Sequence, residues 1–126
     1  MTKPSSPNAP KILVIDDDNF IATQIKERLE KENYVVDVAG NKEFAGLAIP
    51  LDFDLIIASP GRDESDIYAY VNAIRKKAVA IPIIAIVDSR EDSVMNSVKA
   101  GAFDYIQKPM EVDVLAITVF RVLEHH

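Results

Sequence analysis

Lys11-Ile12-Leu13-Val14-Ile15, followed at once by Asp16-Asp17-Asp18-Asn19, is the stretch that decides the fold. Ile12 to Ile15 form an unbroken, largely β-branched apolar run. A strand with one wet face would alternate, so this run reads as a strand buried on both faces. The acids that follow cannot enter a core. Asp17, Asp18 and Asn19 supply capping oxygens for the free N–H groups of a helix through about Lys31, with Ile21, Ile25 and Leu29 recurring at helical spacing.

The same unit repeats along the chain. Tyr34 to Ala39 reads as a second strand and Asn41 to Ile49 as a second helix. Leu55-Ile56-Ile57-Ala58 is a third buried strand, and Ile67, Val71 and Ile74 mark a third helix. Pro82 to Val87 is a fourth strand, with proline at its first position, where no ladder bond is lost. Val94, Met95 and Val98 mark a fourth helix ending at Gly101. Phe103 to Ile106 is a short fifth strand, and Glu111 to Val122 a fifth helix. Such a succession predicts an α/β fold, a doubly wound five-stranded parallel sheet with helices on both faces. Sites in these sheets lie at the carboxyl ends of the strands. The residues to inspect are therefore Asp16-Asp17-Asp18, Ser59-Pro60-Gly61, Val87-Asp88-Ser89 and Gln107-Lys108-Pro109.

Composition narrows the function. The chain has 126 residues, one domain's worth of sequence, and 48% hydrophobic and 27% charged residues, as folded soluble domains do. Lys and Arg number 14 against 20 Asp and Glu, a net charge of −6, which disfavours nucleic-acid binding by this segment. There are no cysteines, which excludes disulfides, thiolate metal sites and a cysteine nucleophile. No apolar run approaches the ~18 residues of a membrane span, and no secretion signal precedes the first strand. A cytoplasmic domain is expected. Residues 1–10 are Pro- and Ser-rich and read as a disordered tail, residues 11–122 as the domain, and residues 123–126, ending His125-His126, as the remnant of a purification tag.

Carboxylates at one strand exit facing a lysine from another suit Mg²⁺ and a phosphoryl group: hard oxygens hold the cation, and lysine neutralises a phosphoryl oxygen. The plainer alternative leaves the acids as helix caps and Lys108 as a solvated charge. In this setting the chain resembles a response-regulator receiver domain, the phosphoacceptor module of two-component signalling. Ile12 to Asp18 resembles the family's first strand and acidic pair, Asp54 to Ser59 its third strand, and Pro82 to Val87 its fourth. Ala100 to Pro109 resembles its last strand with the lysine and following proline. The resemblance implies a flavodoxin-like strand order 2-1-3-4-5. It also implies a cis Lys108–Pro109 bond and an aromatic switch residue at Tyr105.

The departures bear on mechanism. Where the family carries its phosphorylated aspartate stands Ser59, and where it carries a hydroxyl residue that binds the phosphoryl group stands Val87. A carboxylate is already a deprotonated nucleophile, whereas a serine hydroxyl needs a positioned base. Losing a carboxylate also weakens Mg²⁺ binding, so Asp16 and Asp17 are expected to hold Mg²⁺ weakly at best, and no cofactor is required. Asp88 is expected either to pair with Lys108 or a cation or to cap the following helix. The expectation is a degenerate receiver, not an enzyme, signalling by protein–protein contact within a response regulator or hybrid protein. The alternatives are a working phosphoacceptor using Ser59 or another aspartate such as Asp63, and, more remotely, a small-ligand binder of the same fold.

The last helix has almost no polar face, which suggests that its outer side meets a partner or an output domain beyond this chain. Val112, Leu115, Val119 and Phe120 are the expected interface residues. The resemblance implies a homodimer or output surface built from the last two helices and the last strand.

Overall fold

The computed structural model describes residues 9–40, 53–59, 67–77, 80–87 and 91–125. Its elements are β1 (Lys11–Ile15), α1 (Asn19–Glu30), β2 (Val35–Ala39), β3 (Leu55–Ala58), α2 (Ile67–Lys77), β4 (Ile83–Val87), α3 (Glu91–Lys99), β5 (Asp104–Gln107) and α4 (Val112–His125). The second helix expected over Asn41 to Ile49 lies outside the described residues, as do most of the expected tail, Pro60, Gly61, Asp63 and Asp88.

All strand pairs are parallel, and the sheet order is β2-β1-β3-β4-β5. This is the predicted flavodoxin-like order. The period of two along each strand sorts the core into two layers. Leu13, Ile15, Ile56, Ala58, Ile83, Ala85 and Val87 point to the face covered by Val71 and Ile74 of α2 and by Ala100 and Ala102. Ile12, Val14, Leu55, Ile57, Ile84 and Ile86 point to the opposite face, under Ile25 and Leu29 of α1 and Leu115, Val119 and Val122 of α4. Both faces of β1, β3 and β4 are dry, which is why those strands show no polar alternation.

Local chemistry sets the ends of the elements. The Asp18 carboxylate accepts from Phe20 N–H at 3.0 Å and Ile21 N–H at 3.2 Å, so it is the cap of α1. The turn after α3 passes through Gly101 at φ 109°, a region open to glycine. A Cβ there would lie 3.2 Å from Arg75 Nε. Arg75 itself donates to the carbonyls of Ile81 and Gly101, each at 2.7 Å, and so ties α2 to the start of β4 and to this turn. The Lys108–Pro109 bond is cis, as the resemblance implied.

One apolar assignment is corrected, on α4, and α3 shows which of its residues turn inward. On α3, Met95 and Val98 face outward, and among the described side chains of the helix Ser97 is the buried one. Its hydroxyl donates to the Val94 carbonyl at 2.8 Å, so a polar residue sits in the core without an unmet donor. On α4, Leu115 and Val119 are 0% exposed and belong to the core beneath the helix. They cannot form an interface, because they already pack on Ile84 and Ile86 of the sheet and the inner side of α1. Val112 is half-buried and Phe120 is exposed. α4 also continues past Val122, with Leu123 half-buried against the core.

Candidate functional site

Each site residue is positioned by the ladder that ends one step before it. Ile15 pairs with Ala58 across β1 and β3, which puts Asp16 and Ser59 side by side at the two exits. Ser59 N–H donates to the Ile15 carbonyl at 2.9 Å, and Asp16 N–H to the Ala39 carbonyl at 3.0 Å. Val87 pairs with Gln107, and Lys108 N–H donates to the Val87 carbonyl at 2.7 Å. Asp16, Ser59, Val87 and Lys108 thus converge on the same end of the sheet.

Their surroundings differ. Asp16 and Ser59 are buried at 4% and 5% exposure, whereas Asp17 and Lys108 are exposed. Asp16 Oδ1 accepts from Asp18 N–H at 2.8 Å, and Oδ2 is buried with no hydrogen-bond partner. Burial raises the Asp16 carboxyl above its ordinary value and outweighs the opposing pull of Asp18 N–H, the neighbouring Ser59 hydroxyl and the Lys108 charge; the Asp18 charge adds to the rise. Val87 is not turned into a polar pocket. It is 1% exposed and packs with Ala85 and Ala58 in the α2–α3 layer, and its side chain has no donor to offer. Tyr105 lies on the edge strand, exposed, and lines a shallow groove with Pro109, Val114, Thr118 and Arg121. Asp88, expected either to face Lys108 or to cap a helix, is outside the described residues.

The resemblance implies that Mg²⁺ would be held at this end of the sheet. The orphaned Asp16 oxygen is a fitting donor, and Asp17 stands beside it in the chain. The third position is the neutral Ser59 hydroxyl, and among the described residues no group of three His, Cys, Asp or Glu could hold a metal. Hard divalent cations favour several charged oxygens. Among the described residues the donors therefore fall short of a magnesium cage.

Outside the pocket, the structure exposes Phe120, which the sequence had named, together with apolar residues that it had not singled out. On α4 the outward apolar side chains are Val114, Ile117 and Phe120, at 44%, 61% and 57% exposure. The signal was in the sequence: Leu115 and Val119, four apart, fix one face inward, and the remaining apolar residues must then face out. Phe20, in the first turn of α1, is also exposed.

Comparison with known proteins agrees with this geometry. The family model described as Response regulator receiver domain matches residues 12–120, so the chain belongs to the response-regulator receiver family. More particularly, it is 34% identical over 116 residues to the transcriptional regulatory protein KdpE of Staphylococcus aureus, covering 90% of this chain and 49% of that protein. A response regulator from Thermotoga maritima superposes with a TM-score of 0.78 at 28% identity, covering 92% of this chain and 98% of that one. A two-component response regulator from Clostridium difficile superposes at 0.80 and 27% identity, covering 92% and 97%. The chain spans between about a quarter and about half the length of the first curated relatives it matches. It is a receiver domain of two-component signalling. Among the described residues no helix is long and apolar enough to cross a membrane.

Proposed function

We propose that this receiver domain acts without accepting phosphate, as a cytoplasmic binding module and not an enzyme. The observation that carries the reading is Ser59: it stands at the exit of β3 beside Asp16, buried, where a receiver needs an ionised carboxylate. Among the described residues Asp16 is the base beside it, and even with its pKa raised by burial a carboxylate is far too weak a base to hold the proton of a serine hydroxyl. Val87 supplies no hydroxyl to a phosphoryl oxygen and is already packed in the core. Any Mg²⁺ at Asp16 and Asp17 is held weakly. The output is protein contact through α3, β5 and α4, where Met95, Val98, Tyr105 and Val114 are exposed. The partner is an output domain or a second protein, and nucleic acid is not bound by this acidic segment.

Intact-mass spectrometry after incubation with Mg²⁺ and a small-molecule phosphodonor tests this reading. The parent chain is expected to stay unmodified, and Ser59→Asp to gain one phosphoryl group of short lifetime. A phosphoryl group on the parent that disappears in Ser59→Ala would make serine the acceptor. One that persists in Ser59→Ala would place it on another aspartate. Either result overturns the proposal.

A further inference from the structure

A groove runs between α1 and α4, on the flank of α4 turned away from Tyr105. It holds about 210 Å³ and is lined by Arg28, Glu32, Tyr34, Ala116, Ile117 and Phe120. Tyr34 immediately precedes β2, so the groove reaches the amino end of the parallel sheet, whereas Asp16 and Ser59 stand at the carboxyl end. Its floor is Ala116, part of the core beneath α4, and Tyr34 packs half-buried against the same core. Ile117 and Phe120 stand above it, exposed.

Charge is arranged around this apolar floor. Arg28 Nε donates to Asp113 Oδ1 at 2.8 Å and Arg28 Nη1 to Glu32 Oε1 at 2.9 Å, so the cation in the lining is held between two carboxylates. Burial first, and then the charges of Glu32 and Glu124, raise the Tyr34 phenol above its ordinary pKa, which sets a further carboxylate near that wall. Arg28 against Glu32, Asp113 and Glu124 leaves the rim acidic.

We infer that this groove is a docking site for a basic segment of a second protein, which inserts one large apolar side chain between Tyr34 and Phe120 and sets lysine or arginine against Glu32 and Glu124. Size and charge select this occupant. Sites for free organic ligands enclose roughly 300–1,000 Å³, and about 210 Å³ gives room for little more than one side chain. A single anchor of that kind carries much of the binding energy of an interface. An acidic segment would set like charges against Glu32 and Glu124, and a second copy, with its net charge of −6, would bring another acidic surface to the site. A wholly apolar segment would dry these carboxylates without pairing them. The groove adds a contact surface to the one proposed on α3, β5 and the outer side of α4, and it does not depend on the state of Ser59.

The contact is small, so binding is weak and falls with added salt. The probe is a fluorescein-labelled peptide with one phenylalanine flanked by two lysines on each side, read by fluorescence anisotropy at low salt. Replacing its phenylalanine by alanine is expected to weaken binding at least about fivefold, and replacing its lysines by glutamate to abolish binding. On the domain, Phe120→Ala and Glu32→Lys are each expected to weaken binding at least about fivefold. Val114→Ala and Glu111→Lys, the matched changes in the groove beside Tyr105, are expected to leave it within about twofold. Glu111→Lys changes the net charge as much as Glu32→Lys does, so the pair separates a local site from general attraction to an acidic protein. Circular dichroism checks that each variant folds. Equal losses from Glu32→Lys and Glu111→Lys, no loss from Phe120→Ala, or an alanine peptide that binds as well as the phenylalanine peptide would overturn the site. So would self-association in sedimentation that Phe120→Ala abolishes, which would give the groove to a second copy. None of these results bears on phosphate acceptance, which the mass measurement decides separately.

Discussion

Ser59 and an aspartate differ by one charge, and in a pocket that already buries Asp16 this difference shapes the physics. A third carboxylate beside Asp16 would be repelled, by about 3 kcal/mol for charges ~5 Å apart at an effective dielectric of ~20, unless a cation joined them. Ser59→Asp is therefore expected to lower the melting temperature without Mg²⁺ and to bind Mg²⁺ at least about tenfold more tightly than the parent, read by calorimetric titration. Asp16 makes a second prediction. Burial raises its folded-state pKa above the unfolded value, so the native state keeps the proton in the interval between them, and stability falls as pH rises through it. Above that interval the buried charge is a constant cost. Asp16→Asn keeps an acceptor for Asp18 N–H and removes the charge, so it should melt higher than the parent at pH 7, with the gap closing as pH falls towards ~3.9. Thermal scans across that range check it. Asp16, Asp17 and Lys108 were legible from the sequence because their types and strand-exit positions are local facts. The orphaned oxygen of Asp16 was not, because it depends on where Ser59 and the chain after β1 come to rest.

At the scale of elements, α4 shows what periodicity decides and what it leaves open. With apolar residues nearly all round, the pattern announces a helix but not its rotation. Leu115 and Val119 turn inward because they share a stripe with Val122, the stripe that meets Ile84 and Ile86. Leu115→Ala is expected to cost about 2–5 kcal/mol, the range for a fully buried leucine. Ile117→Ser should change the stability of the monomer by no more than about 0.5 kcal/mol. Urea unfolding of the two variants at low concentration separates them. Nine-residue α3 leaves its rotation open in the same way: Val94, Met95 and Val98 mark it as a helix, as it is, while Ser97 takes an inner position and bonds its hydroxyl back to Val94. Gly101, at the turn after α3, was read as a helix end, and its positive φ with Arg75 close by explains why a side chain does not suit it. Gly101→Ala is expected to destabilise by about 1 kcal/mol or more, read as a lowered urea midpoint.

For the whole molecule, the sheet was legible because buried parallel strands declare themselves as continuous apolar runs, and because right-handed crossovers leave few ways to order them. The exposed apolar surface was less legible, since exposure is a property of the assembled fold and not of any window of sequence. If phosphate is not accepted, Mg²⁺ and a phosphodonor should leave the sedimentation behaviour of the parent chain unchanged. The ends of the sheet have one more consequence. β2 and β5 are its outer strands, of five and four residues, and each carries an acid, Asp37 and Asp104. A foreign strand adding to either border would have to lie along a short, charged rim, which hinders runaway strand-by-strand growth. Such a chain can be held at high concentration with its helices free to find partners and little tendency towards fibrils.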